Sequence, residues 1–198
     1  MLLYLLAYSL IAGFFLIEYS VRRGKDTKNM NRTEHDKGST LIISIVMGAA
    51  FILLLVSPLL TWLGVYAIYQ PIIRVAGLLL GAGGLIVRYA AFTTLGRFFS
   101  RTLREAEGHT LVTNGIYKYI RHPGYLSDFM IFIGTALAMG SLIPLIFITV
   151  TFSCAYAYRI HVEEKMLIGI FGERYRAYQK TSNLLIPFGA RRKSINGK

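Results

Sequence analysis

The sequence predicts an all-α integral membrane protein with about five transmembrane helices, and three observations predict it. Apolar residues make up 54% of the chain, mean hydropathy is +0.49, and charged residues are 16%, against roughly 25% in a soluble domain. The apolar residues fall in long runs, each able to cross ~30 Å of hydrocarbon as a helix. No alternating strand signal of ~10 residues repeats along the chain, so a membrane barrel is not indicated. A length of 198 residues suits one domain.

Net charge is +12. The cations cluster in the gaps between apolar runs, the pattern of cytoplasmic membrane loops, so nucleic acid is not an expected partner. Tyr (13) and Phe (12) are abundant, as where rings sit at headgroup level. Cys154 is the sole cysteine, which excludes an intrachain disulfide and leaves it a packing role in an apolar run.

Residues 2–19 form the first apolar run. No cation precedes it and no small-residue cleavage site follows Gly13, so a retained helix is expected rather than a signal peptide. Glu18 falls near its end, where a carboxylate can reach water. Residues 21–40 carry Arg22, Arg23, Lys25, Lys28, Arg32 and Lys37 against Asp26, Glu34 and Asp36, a solvated loop of cytoplasmic type. Residues 41–63 are the second span, with Pro58 as a kink or last turn. Residues 64–70 hold no cation and two tyrosines, Tyr66 and Tyr69, as an outer loop would.

Pro71 suits the first turn of the next helix, and residues 72–95 are the third span. Gly77, Gly81, Gly83 and Gly84 give it a small-residue face for close helix approach. Arg88 lies a turn or two from its end; snorkelling to the headgroups and a part in a site both remain open. Residues 96–122 are the second basic loop, with Arg97, Arg101, Arg104, Lys118 and Arg121. Pro123 opens a fourth span that runs to Met139. Gly140 and Ser141 make a tight turn, and a fifth span climbs from Leu142 to about Arg159, so the last two spans form a helical hairpin. The tail, residues 169–198, is amphipathic and then basic, with Arg191, Arg192 and Lys193.

The two connections without Lys or Arg alternate with the basic ones. Five spans then place the N-terminus outside and the C-terminus in the cytoplasm. Two polar islands, residues 108–125 and 159–164, fall together on the cytoplasmic side.

The first island packs His109, Tyr117, Tyr119, Arg121, His122 and Tyr125 closely. Such rings and cations suit a flat purine, and equally a lipid headgroup layer. At His122-Pro123-Gly124-Tyr125 a helix N-terminus points into this loop. Its free N–H groups favour an anion, and Gly124 leaves the backbone open to a ligand. In the second island Arg159 and Glu163 are four apart and share a helix face. An ordinary surface ion pair is the plain explanation. Partly buried, Arg159 could fork onto a carboxylate while Glu163 meets a cationic group. That combination suits transfer of a methyl group from a sulfonium to a carboxylate, which is already ionised at neutral pH and needs no general base. No metal is expected: His109 and His122 lack a close acidic or thiol companion, and His161, Glu163 and Glu164 lack the i, i+4 histidine pair of a helical zinc site. Gly81, Gly83 and Gly84 lie inside an apolar span, so they are no dinucleotide fingerprint.

Five pieces, in order, resemble the isoprenylcysteine carboxyl methyltransferase family: LGRFFS (95–100), GHTLVTNGIYKYIRHPGY (108–125), RIHVEEKML (159–167), FGERYRAY (171–178) and Ile186-Pro187. The resemblance implies a methyltransferase that uses S-adenosylmethionine, enclosed by the loop and the tail. Its acceptor would be lipophilic and enter from between helices, most simply the carboxylate of a prenylcysteine-like molecule, with another small hydrophobic molecule as an alternative. Carried over by position, His109, Thr110, Leu111, Val112, Tyr117, His122, Pro123, Gly124, Tyr125 and Glu163 would contact the cofactor. Arg159 would hold the acceptor carboxylate, making Arg159 and Glu163 the catalytic pair. Residues 96–198 would be the catalytic half and residues 1–95 the N-terminal helices, which match no motif of the family. The short chain is similar to prokaryotic members, for which the site would face the cytoplasm from the inner or plasma membrane. Phospholipid N-methyltransferases share an RHP-like loop and a double Glu; Arg159 separates the two readings, because an amine acceptor gives it no carboxylate to hold. A non-catalytic protein that binds anionic lipid through its basic loops is the alternative of another class.

Overall fold

The computed structural model describes residues 1–22, 31–32, 38–96, 104–105 and 111–186. Within them the elements run α1 (Leu2–Arg22), β1 (Asn31–Arg32), α2 (Ser39–Trp62), α3 (Pro71–Leu95), β2 (Arg104–Glu105), α4 (Pro123–Met139), α5 (Leu142–Phe171) and α6 (Glu173–Thr181). In lipid a backbone must satisfy its own hydrogen bonds, so each apolar run becomes a helix. Four helices, α1, α2, α3 and α5, are long and apolar enough to cross a membrane, and α4 is a shorter apolar helix. The chain is an integral membrane protein built from helices. Among the described residues the named strands are a two-residue antiparallel ladder, β1 with β2, which joins the two polar loops.

Two expected boundaries move. Hydropathy falls at Arg159, yet α5 continues to Phe171 as a 30-residue helix. At 1.5 Å per residue that is roughly 45 Å, longer than the ~30 Å of hydrocarbon, so its polar last turns stand clear of the apolar layer. The tail begins with a separate nine-residue helix, α6, after Gly172.

The glycine face of α3 packs backbone to backbone on α4. A Cβ on Gly77 would come 2.6 Å from the Gly134 carbonyl oxygen, and one on Gly134 would come 2.5 Å from the Gly81 nitrogen. Only glycine permits that approach. Around this seam Phe14, Leu54, Ile131, Phe132, Met139, Ile148, Phe152 and Tyr156 are buried as one core. Trp62, Ile72, Leu79 and Ile86 point outward with large exposed surfaces, as lipid-facing side chains would.

The hairpin turn is fixed at the opposite end from the polar islands. Gly140 has φ +73° and ends α4 in the left-handed region. Its carbonyl accepts from the Ile68 amide at 2.7 Å, and the Leu142 amide donates to the Tyr66 carbonyl at 3.1 Å. Arg74 donates through Nε to the Ala138 carbonyl at 2.8 Å, covering the last turn of α4.

Arg88 does not snorkel. It is 4% exposed and turns inward. It donates to Glu18 at 2.6 Å and to Asp128, and its guanidinium lies over the Phe14 ring at 4.0 Å and the Phe92 ring at 4.4 Å. Glu18, expected at the water boundary, is buried in this network. The Tyr156 hydroxyl donates to Asp128 at 2.7 Å, so α1, α3, α4 and α5 meet at one charged cluster. Arg88→Met would leave Glu18 and Asp128 without their shared cation in the interior. Loss of one partner of a buried pair costs about 3–5 kcal/mol. A large drop in the midpoint of thermal unfolding in detergent is therefore expected, and an unchanged midpoint would show that the cluster does not hold the bundle.

Candidate functional site

The candidate site is built where the start of α4, the late turns of α5 and helix α6 converge. Upstream of α4 the chain makes a short 3-10 turn, Gly115–Lys118. Gly115 has φ +54°, and a Cβ there would meet the Thr94 side chain at 2.8 Å. The chain then runs beside the segment after α6. The Arg121 amide donates to the Asn183 carbonyl at 2.8 Å, the His122 amide to Leu184 at 3.1 Å, and the Asn183 amide to the Tyr119 carbonyl at 2.9 Å. This parallel bridge, centred on Ile120 and Asn183, ties the loop to the tail. Pro123 then opens α4 with His122 as its N-cap and no side-chain cap. Pro123 has no N–H and the Leu126 amide donates to the His122 carbonyl at 3.2 Å, so the first-turn amides that no side chain caps are those of Gly124 and Tyr125.

Glu164 is the hub of this corner. Arg121 donates to it through Nε at 2.7 Å, the Tyr175 hydroxyl at 3.3 Å and the Gln179 amide at 3.0 Å, and His122 Nε2 lies 3.3 Å away. Arg121 also reaches the carbonyls of Gln179 and Ser182 through Nη1, at 3.2 and 2.5 Å. The Tyr178 hydroxyl donates to the Tyr117 carbonyl at 2.5 Å. Burial pushes the Tyr178 phenol up to about 12 and raises those of Tyr117 and Tyr175, so all three remain neutral donors at physiological pH.

One helical turn below, Arg159 and Glu163 meet on a single atom. The Tyr125 hydroxyl donates to Glu163 at 2.5 Å, and Arg159 Nε donates to that hydroxyl at 3.3 Å. The Tyr125 ring stacks between His122 at 5.6 Å and Tyr156 at 4.9 Å. Arg159 is 4% exposed, which sets aside the surface ion pair offered as the plain explanation.

These groups open onto one cavity of about 410 Å³. Leu111, Val112, Tyr117, His122, Pro123, Gly124, Tyr125, Arg159 and Glu163 all line it. The other two site residues expected from the sequence, His109 and Thr110, lie outside the described residues. A Cβ at Gly124 would meet nothing within 4 Å, so this wall is backbone with open space before it. Apolar side chains line the cavity as well, Phe14 and Phe15 from α1 and Ile43, Met47 and Phe51 from α2.

Arg88, for which the sequence leaves a part in a site open, lines the cavity. Asp128, Tyr175, Tyr178 and Thr40 line it too and were not expected as site residues. The FGERYRAY segment named the two tyrosines without a role, and nothing in the sequence pattern points to Asp128 or Thr40.

Residues 76–169 match the model of the Isoprenylcysteine carboxyl methyltransferase (ICMT) family, and the resemblance read from the motifs is borne out. Protein-S-isoprenylcysteine O-methyltransferase of Xenopus laevis is 34% identical over 118 residues, 59% of this chain and 41% of that protein. The protein of that name from Saccharomyces cerevisiae is 35% identical over 126 residues, 62% of this chain and 52% of the relative. The human one is 35% identical over 118 residues, 59% and 42%. The chain thus aligns with about half the length of these relatives or less. Among solved structures, that of the eukaryotic intramembrane Ras methyltransferase ICMT superposes with a TM-score of 0.60 at 25% identity, covering 74% of this chain and 52% of that one. What the chain shares with that structure is its helical membrane fold.

The Arg121 contacts are the latch between loop and tail. Hydrogen bonds to charged groups are worth about 1.5–3 kcal/mol. Arg121→Ala is expected to speed amide hydrogen exchange at His122 and Asn183 by on the order of tenfold or more. Unchanged exchange would mean that the latch holds nothing.

Proposed function

We propose that this chain is a membrane methyltransferase that transfers a methyl group from S-adenosylmethionine to the carboxylate of a lipophilic acceptor of the prenylcysteine type. The observation that carries the reading is the single cavity. In it a buried guanidinium and a carboxylate share the Tyr125 hydroxyl, and the same cavity is lined by five apolar side chains of α1 and α2, Phe14, Phe15, Ile43, Met47 and Phe51. The residues present fit a nucleoside sulfonium. Gly124 leaves open space beside the uncapped start of α4, aromatic rings line the same wall, and Glu163 supplies a negative charge.

In this reading Leu111, Val112, Tyr117, His122, Pro123, Gly124 and Tyr125 form the wall that takes the donor. When bound, the donor supplies a methyl group on a cationic sulfur, open to in-line displacement by an oxygen nucleophile. Glu163 compensates a positive charge on that side. Arg159 orients the acceptor carboxylate by hydrogen bonding to it. The apolar wall of Phe14, Phe15, Met47 and Phe51 excludes water, which raises the reactivity of a carboxylate already ionised at neutral pH. No side chain has to take a proton; positioning carries the rate. Residues 96–198 form the catalytic half of one domain, and the alternation of basic loops places the site on the cytoplasmic side.

A phospholipid N-methyltransferase is the second reading. A buried Arg159 beside the cavity favours the carboxylate, because an amine acceptor would have to sit against a cation.

Calorimetric titration of the full chain in detergent with S-adenosylhomocysteine tests the donor. Binding is expected, and its absence would remove both enzyme readings. Glu163→Gln should weaken that binding about tenfold. Arg159→Ala should leave it nearly unchanged and depress methyl transfer to farnesylcysteine analogues at least 100-fold, as loss of a charged contact worth about 3 kcal/mol implies. Transfer to phosphatidylethanolamine but not to the prenylcysteine analogue would decide for the second reading.

A further inference from the structure

We propose that Ser39 and Thr40, at the start of α2, are positioning residues for the acceptor: they hold Arg159 in the orientation in which it receives the carboxylate. The inference rests on the reading of Arg159 given above. Arg159 Nη1 donates to Ser39 Oγ at 2.5 Å and to Thr40 Oγ1 at 3.0 Å, while Nε donates to Tyr125 at 3.3 Å. Ser39 is fully buried, and Thr40 lines the same cavity as Arg159.

A guanidinium recognises a carboxylate through its plane. Left alone, an arginine side chain explores rotamers worth ~2 kcal/mol of entropy. Contacts on both Nε and Nη1, from two different helices, fix the plane before an acceptor arrives. The anchors on α2 are hydroxyls, so they set direction without adding a negative charge that would compete with the acceptor. The N-cap of α2 is Gly38, with φ +76°, and Ser39 is the first residue of the helix after it. A serine at a helix start ordinarily serves the helix's own amides; here its oxygen accepts from an arginine 120 positions away. Both residues lie before the family-matched region, 76–169.

The test uses the full chain in detergent, wild type against the double variant Ser39→Ala, Thr40→Val. Three readouts are taken: the affinity of a farnesylcysteine-type acid relative to its methyl ester, the KM and kcat for the acid, and calorimetric binding of S-adenosylhomocysteine. The expected result is a roughly tenfold loss of acid-over-ester preference and a matching rise in acceptor KM, with donor affinity within twofold of wild type. Thr40→Ser, which keeps a hydroxyl, should retain wild-type discrimination. Undiminished discrimination in the double variant overturns the inference, and so does a donor affinity that falls in step with the acceptor's, since that is what a purely structural role gives. Wild-type protein that does not distinguish acid from ester would remove the carboxylate acceptor itself, and the positioning role with it.

Discussion

The Tyr125 hydroxyl is the point on which the site depends. It donates to Glu163 and accepts from Arg159, so one atom joins the first turn of α4 to two successive turns of α5. This junction works because the helices are already paired. Gly140 and Ser141 leave almost no slack between them, and the Gly140 and Leu142 backbone bonds to the preceding connection fix the turn. With the hairpin pinned at one end, the start of α4 and the late part of α5 come together at the other. A hydroxyl suits the junction because it can serve a cation and an anion at once, and its burial between two stacked rings keeps it there.

Below the junction the polar groups continue into the bundle. Tyr125 stacks on Tyr156, whose hydroxyl donates to Asp128; Asp128 accepts from Arg88, which in turn donates to Glu18. The column crosses α4, α5, α3 and α1. Ionisable groups at this depth are costly and persist where they are paired or serve a site. Here they are paired, and Arg88 and Asp128 also line the cavity. Packing and site are therefore one construction: the cluster that holds four helices together is the floor beneath the stacked rings. The glycine seam has the matching role for α3 and α4, which must approach within backbone contact for Arg88 to reach Asp128.

Much of the fold was legible because lipid leaves few choices. Hydropathy marked α1 to α5, Pro123 marked the start of α4, and Gly140 marked the turn; the polar α6 had no such mark. The end of α5 was not legible from hydropathy, because the helix outlasts its apolar part: Glu163, Glu164 and Lys165 are good helix formers that bring no hydropathy with them. The site was legible where its residues are neighbours in the chain. His122 to Tyr125 and Arg159 with Glu163 signalled themselves by local density and by helical spacing. The partners they find are another matter. Ser39 to Arg159, Glu18 to Arg88 and Arg121 to Glu164 are contacts between distant elements, and no periodicity predicts which polar side chain two packed helices will share. Arg88 shows this best: its position suited snorkelling, and only the carboxylates supplied by α1 and α4 turn it inward.

The family match covers residues 76–169, and the cavity does not respect that boundary. Its polar wall, from Tyr117 through Glu163, lies within the match. A second set of lining residues, Phe14, Phe15, Thr40, Ile43, Met47 and Phe51 in α1 and α2, lies outside it, as do Tyr175 and Tyr178 of α6. The two walls face different physical tasks. A donor of fixed chemistry demands the same charges and the same backbone approach each time, which fixes residue types. A lipophilic tail demands only an apolar surface of suitable width, which many combinations of Phe, Ile and Met can supply. On the proposed function a motif can therefore survive on the first wall and fade on the second, even though both would enclose the same reaction. On this argument the acceptor's shape is to be sought in α1 and α2, the half of the chain whose sequence gave the least warning of a part in the site.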